Sequence, residues 1–195
     1  MIAQNLHRLK VEKSTQHLTS FAGLPLLSEL AHQSDLISRL DAIPGLWERK
    51  GLYKTSDYVM SLALTLIAGG EGLDDIRLLR GDPGLGQLVF PDMPAANSLG
   101  RFLRRFDQRS LYRLGETVTG QALKNLQGFK IVTVDIDSTL IESEKEEAKT
   151  TYKGFEGYNP TLAWLAEPDV FLAGVFREGN ASPQSHLLSL LKHCH

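Results

Sequence analysis

The sequence predicts an α+β chain, with a helical N-terminal region followed by a β-β-β-α succession. Three observations predict it. Apolar residues recur at helical spacing in several segments up to about residue 126. After Gly128 the texture changes to a β-branched, strand-like run. Further on, Glu167-Pro168-Asp169 separates two short apolar runs in the manner of a hairpin turn. A length of 195 residues gives room for one domain or two small ones.

Residues 1–20 read as a polar, flexible leader. Residues 24–40 place Leu26, Leu27, Leu30, Leu36, Ile37 and Leu40 at helical spacing. They predict one or two short helices, with Pro25 near a start and Pro44-Gly45 as a stop. Thr55 or Ser56 caps the next helix, which runs to about Ala68 and ends at Gly69-Gly70. Residues 73–79 form a short helix closed by the Gly81-Asp82-Pro83-Gly84 turn. Pro91, Pro94 and Asn97 punctuate a loop. From Ser98 to about Leu126 the pattern is helical again, and Gly115 and Gly120 mark where it could break.

Residues 131–141 then read as a strand, and ESEKEEAK at 142–149 as a solvated loop or turn. Two further strands cover 158–167 and 170–177. Residues 182–193 predict a final amphipathic helix, with Ser182 as cap and Pro183 at its first position. Gly154 and Gly157 read as turn glycines that need unusual dihedrals, and Trp47 and Trp164 as core or interface residues.

Composition excludes several classes. With 42% hydrophobic and 23% charged residues, the chain is an ordinary globular one. A net charge of −2 carries no global basic signal, so any contact with nucleic acid must come from a local patch. One cysteine, Cys194, allows no disulfide framework and fits a reducing cytoplasm. The N-terminal twenty residues lack the apolar stretch of a signal peptide. The longest strongly apolar stretch, 58–68, is well short of the roughly 20 residues needed to cross a bilayer, so no membrane partner is expected. His193, Cys194 and His195 are adjacent and cannot by themselves wrap a tetrahedral ion.

Two features point to chemistry. The run KIVTVDIDSTLIES at 130–143 reads as a buried strand ending in Asp135 and Asp137. Residues two apart in a strand share a face, so both carboxylates project from one side. Two such acids repel unless a cation or proton lies between them, and hard divalent ions such as Mg²⁺ use this arrangement. The alternative is a strand-end pair satisfied by turn amides and water. The second feature is arginine. Residues 97–113 hold Arg101, Arg104, Arg105, Arg109 and Arg113 against one acid, Asp107, a net of +4. Read as one helix, the segment turns Leu99, Phe102, Leu103 and Phe106 to one face and the arginines largely to the other. Such a face suits phosphate contact, with a merely solvated helix as the alternative.

Residue by residue, DIDST at 135–139 is similar to the opening motif of haloacid-dehalogenase-type phosphatases, where Asp135 would be nucleophile and Asp137 acid/base. It also resembles the first catalytic strand of the DDE-domain transposases of bacterial insertion sequences, which carry Asp-Ser-Thr there. The flanks favour the second family. TSFAGLPLL at 19–27, PAANSLGRFLRRF at 94–106, YKGFEGYNP at 152–160 and REGNA at 177–181 resemble that family's segments in the family order. About 130 residues precede the Asp strand, whereas phosphatases of the other type usually open with it.

The transposase resemblance implies a helical, DNA-binding domain over 21–127. It implies the first half, β-β-β-α, of a ribonuclease-H-like catalytic domain over 128–195. Mg²⁺ or Mn²⁺ would be held by Asp137 and Asp135, either of which could be the primary ligand, in a site of two ions about 3.5–4 Å apart. The partner implied is DNA, the transposon ends, with self-association left open. Arg101, Arg104, Arg105, Arg109 and Arg113 are the candidate DNA contacts. The family uses two further acids from later elements. Glu142, Glu144, Glu146 and Glu147 are too closely spaced on a charged run to replace them. The expectation is therefore a truncated transposase, catalytically incomplete by itself, or a non-catalytic DNA-binding remnant.

Overall fold

A computed structural model describes residues 17–46, 51–88, 93–124, 129–182 and 185. The described residues are mixed helix and sheet, with seven α-helices and two small antiparallel sheets. The chain divides into two compact units. The first takes Met1–Gln33 with Trp47–Arg105, and the second takes Ser34–Leu46 with Phe106–His195. The boundary expected near Gly128 thus falls inside the second unit, between its last helix and its first strand.

The first unit is helical. Its helices are α1 (Leu24–Gln33), α3 (Thr55–Ile67), α4 (Ile76–Arg80), α5 (Pro83–Leu88) and α6 (Ala96–Leu103), with a 3-10 turn at Leu73–Asp75. Helix α1 buries Leu24, Ser28 and Ala31, whereas Leu26 and Leu30 of the expected apolar repeat face solvent. Helix α3 starts one residue earlier than the Thr55 or Ser56 cap implied. Lys54 is its N-cap residue, and the Asp57 carboxylate accepts from the Lys54 amide at 2.8 Å. Gly69, at φ 89°, ends it as expected. The segment after Gly81 is not only a turn. Asp82 accepts from the Leu85 amide at 2.8 Å, and Pro83 then opens α5. Tyr58 and Phe102 stack with ring centroids 4.4 Å apart, and Tyr58 shares a hydrogen bond with Ser98 at 3.1 Å. Leu64, Ile76, Leu85, Leu99 and Phe102 are fully buried.

The second unit joins α2 (Leu36–Asp41) and α7 (Gln108–Leu123) to six strands. The first sheet runs β1 (Val134–Ser138), β5 (Thr161–Leu165), β6 (Val170–Val175), antiparallel throughout. Val134 pairs with Leu165 and Ser138 with Thr161. The expected hairpin is β5–β6, with Asp169 in the left-handed region at φ 56°. One face of this sheet makes the core from Ala163, Leu165 and Leu172, packed by Leu123, Val134, Ile136 and Val170. Helix α7 lies on that face. Thr119 donates to the Leu172 carbonyl at 2.7 Å, and α2 packs on α7.

Two expectations change in this unit. The charged run at 142–149 is flanked by strands of a second small sheet, ordered β2 (Ile141–Glu142), β4 (Glu156–Tyr158), β3 (Lys149–Thr150). The helix expected from Ser98 to Leu126 is two helices, broken before Asp107 and not at a glycine. Asp107 accepts from the Ser110 amide at 2.8 Å and donates its own amide to Ser110 Oγ at 2.9 Å, a reciprocal cap that starts α7. Gly115 and Gly120 lie within α7. Residues 183–184 and 186–195, the bulk of the expected final helix, lie outside the described residues, as do Trp47 and most of the leader.

Candidate functional site

Strand β1 alternates. Val134, Ile136 and Ser138 are half-buried toward the core face, and Asp135 and Asp137 are exposed on the other. The two carboxylates share a face, as the two-residue spacing requires. The strand is not buried on both sides, however. It is an edge strand whose partner among the described residues is β5. Its Asp face continues across β5 and β6 through Leu162, Trp164 and Phe171, all substantially exposed. Trp164 stands opposite Asp135, meets Phe171 edge-on with centroids 6.2 Å apart, and donates to Asp169 at 3.0 Å. It belongs to this open face and not to the core. Asp137 Oδ1 accepts from the amide of Ser138 at 2.8 Å.

Two acceptor-only carboxylates on one open face fit part of a divalent-ion shell, because Mg²⁺ is commonly held by one or two carboxylates with waters and substrate oxygens. Among the described residues no group of three or more His, Cys, Asp or Glu side chains converges. Glu144, Glu146 and Glu147 are exposed on their loop.

The far end of β1 is held by a residue that the sequence reading placed at the end of a strand and at the start of the REGNA segment. Arg177 is 5% exposed. It donates from Nε to the Asn159 carbonyl at 2.8 Å and from Nη2 to Ser138 Oγ at 2.9 Å. Nη1 reaches the Ser182 carbonyl at 2.8 Å and Ser185 Oγ at 3.1 Å. Asn159 returns its amide to the Arg177 carbonyl at 3.0 Å and its side-chain NH₂ to Ala181 at 3.1 Å. The segments 152–160 and 177–181 therefore interlock. Their glycines have separate reasons. Gly154 sits at φ 90° with open space around it. Gly157 does not sit at positive φ, contrary to expectation. A Cβ there would strike the Ile141 carbonyl, and one at Gly179 would strike the carbonyls of Lys149 and Gly157. The signal for Arg177 was present in Arg-x-Gly-Asn and Asn-Pro, but nothing in either motif says that the side chain turns inward.

The arginines do not form one helical face. Arg101 is on α6 and Arg104 caps its end, both exposed, and Arg105 is half-buried. Arg109 and Arg113 are exposed on α7, in the second unit. Leu99 and Phe102 form the apolar back of α6, but Leu103 is 43% exposed. Arg113 pairs loosely with Glu116 at 3.6 Å. With Arg39 of α2, it lines an open cleft of about 540 Å³, and with Arg109 an adjoining one of about 250 Å³.

No described helix is long and apolar enough to cross a membrane. Searches of curated proteins and of solved structures gave no match. A family model of the transposase DDE domain, group 1, matches residues 3–194, and transposases of that kind generally use divalent metal ions. With nearly its whole length matched, the chain belongs to the DDE-domain transposases.

Proposed function

We propose that this chain carries the first metal-binding strand and part of the DNA-contacting surface of a bacterial insertion-sequence transposase acting in the cytoplasm. One observation carries the reading: Asp135 and Asp137 lie exposed on one face of an edge strand in an antiparallel β1-β5-β6 sheet. That order suits the first three strands of a ribonuclease-H-like domain, in which a later strand joins beside the first. Bound divalent ions would activate the attacking water or 3′-OH and stabilise the leaving oxygen. The chain's own part is to present Asp137 and Asp135 as ligands and to hold DNA phosphates with Arg101, Arg104, Arg105, Arg109 and Arg113. These residues supply two acids of a site that needs more, so the chain alone is proposed to be catalytically incomplete.

The phosphatase alternative calls for a parallel sheet with helices between its strands, and the pairing of β1 with β5 is antiparallel. The test is direct. In Mg²⁺, the purified chain is expected neither to nick duplex DNA nor to hydrolyse small phosphate esters. Ester hydrolysis lost in Asp135→Asn would establish the phosphatase. Binding to a duplex of arbitrary sequence is expected to weaken with salt by about 0.9 log units per log salt for each phosphate neutralised. Replacing Arg101, Arg104 and Arg105 by Ala should lower that slope by up to about 3. A folded triple variant with unchanged affinity and slope removes these three from the DNA surface.

A further inference from the structure

We infer that Arg177 is the positioning residue for the Asp137 end of β1, an inference resting on Asp137 being a metal carboxylate. Its guanidinium is buried and its donors are spread over three separate segments. Nη2 goes to Ser138 Oγ on β1, and Nε goes to the Asn159 carbonyl just before β5. Nη1 goes to the Ser182 carbonyl and to Ser185 beyond β6. Ser138 is the residue after Asp137, and its amide hydrogen-bonds Asp137 Oδ1. Its hydroxyl is shared with Thr161 Oγ1 at 2.9 Å, across the strand pair. The next amide, Thr139, donates to the Pro160 carbonyl at 3.1 Å. The Asp137 end is thus tied to one rigid, planar donor fork, through the Ser138 hydroxyl on β1 and through the Asn159 carbonyl before β5.

Stability alone does not account for this choice of side chain. Burying a guanidinium carries a desolvation cost, and apolar residues of similar volume commonly stabilise a fold as well or better. What the fork adds is direction, because its donors hold several acceptors in one fixed plane, whereas the rotatable donors of a lysine ammonium impose no such geometry. The opposite end of the same strand pair is built without it. There Ala166 donates to the Thr133 carbonyl at 3.0 Å, and Glu167 accepts from the Thr133 amide and hydroxyl.

The two ends supply the control. Amide hydrogen exchange is measured at Thr139 and at Ala166 in the wild-type chain, Arg177→Lys and Ser138→Ala. A positioning role predicts exchange at Thr139 at least ~10-fold faster in both variants, with Ala166 changed less than ~2-fold; a 10-fold change corresponds to about 1.4 kcal/mol of local opening. Equal acceleration at both ends would show that Arg177 only stabilises the fold. No acceleration at Thr139 in Ser138→Ala would overturn the inference even if Arg177→Lys did not fold.

Terbium luminescence sensitised by Trp164, which stands opposite Asp135, tests the underlying reading separately. Emission on adding Tb³⁺ should be lost in Asp137→Asn, with an affinity at least ~3-fold weaker in Ser138→Ala. Absence of Asp137-dependent emission in the wild type would sink the metal reading and leave Arg177 as a strand-end clamp only. Full Tb³⁺ affinity in Ser138→Ala, with unchanged exchange at Thr139, would sink the inference and leave the metal reading standing.

Discussion

Replacing three glycines by alanine should give three different outcomes in one chain. At Gly157, on β4, an added Cβ would collide with the Ile141 carbonyl oxygen and lie 3.2 Å from Glu142 Cα. Both are backbone atoms of the neighbouring strand, so no side chain can rotate away and the β2–β4 pairing must open. Overpacking of this kind typically costs about 1–3 kcal/mol. At Gly154 the surroundings are open, but φ is 90°, so only backbone strain remains, about 1–2 kcal/mol. At Gly120, inside α7, nothing lies within 4 Å, and alanine should gain about 0.5–1 kcal/mol through helix propensity. For a chain of this size 1 kcal/mol moves the melting temperature by about 2–4 °C. Gly157→Ala should therefore melt about 2–12 °C lower and Gly120→Ala about 1–4 °C higher. Thermal unfolding followed by circular dichroism reads all three. A Gly157→Ala variant as stable as wild type, or a Gly120→Ala variant less stable than Gly157→Ala, would refute the reasoning.

Other outcomes follow from single contacts. Phe102→Ala removes a fully buried ring that stacks on Tyr58 and should cost about 3–5 kcal/mol by urea titration, against about 1 kcal/mol for Tyr58→Phe, which loses only the hydroxyl bond to Ser98. The hydrogen bonds that Glu167 accepts from the Thr133 hydroxyl and amide hold its carboxyl below the ordinary glutamate range. A depressed folded value gives stability that is present above the unfolded value, about 4.3, and lost as pH falls below it. Glu167→Gln should flatten the melting-temperature profile in that acid range; an unchanged profile would remove Glu167 from the account. Leu103→Ala, on the exposed side of α6, should leave stability within about 0.5 kcal/mol, whereas Leu99→Ala should cost about 2–5 kcal/mol.

Where one periodicity dominates, the sequence was legible. The Asp135/Asp137 spacing gave the shared face, and Glu167-Pro168-Asp169 gave the hairpin, because alternation and turn chemistry are local. The break in the long helical pattern was misplaced because glycine was weighed above capping. Asp107 and Ser110 are three apart, and their reciprocal bonds start a helix more decisively than Gly115 or Gly120 interrupts one. The exposure of the Asp face was missed because residues 130–136 are apolar enough to read as buried on both sides, whereas α7 packs against the opposite face of the sheet. Arg177 was hidden for a related reason. Burial of a charge is decided by what other segments bring to it, here carbonyls at 159, 182 and 185, and no local pattern records that.

Residues 34–46 belong to the second unit although residues 47–105 intervene before the rest of it. During synthesis α2 leaves the ribosome long before α7, and all of residues 47–105 must be made before α7 can cover it. Contacts of such sequence separation slow folding, because loop closure comes before any reward from packing. Until then Leu40 and Ile43, both buried in the finished unit, lack the α7 surface against which α2 packs. Chaperone demand, and the yield of soluble chain at higher temperature, should therefore respond to substitutions in this short early segment more than its size implies.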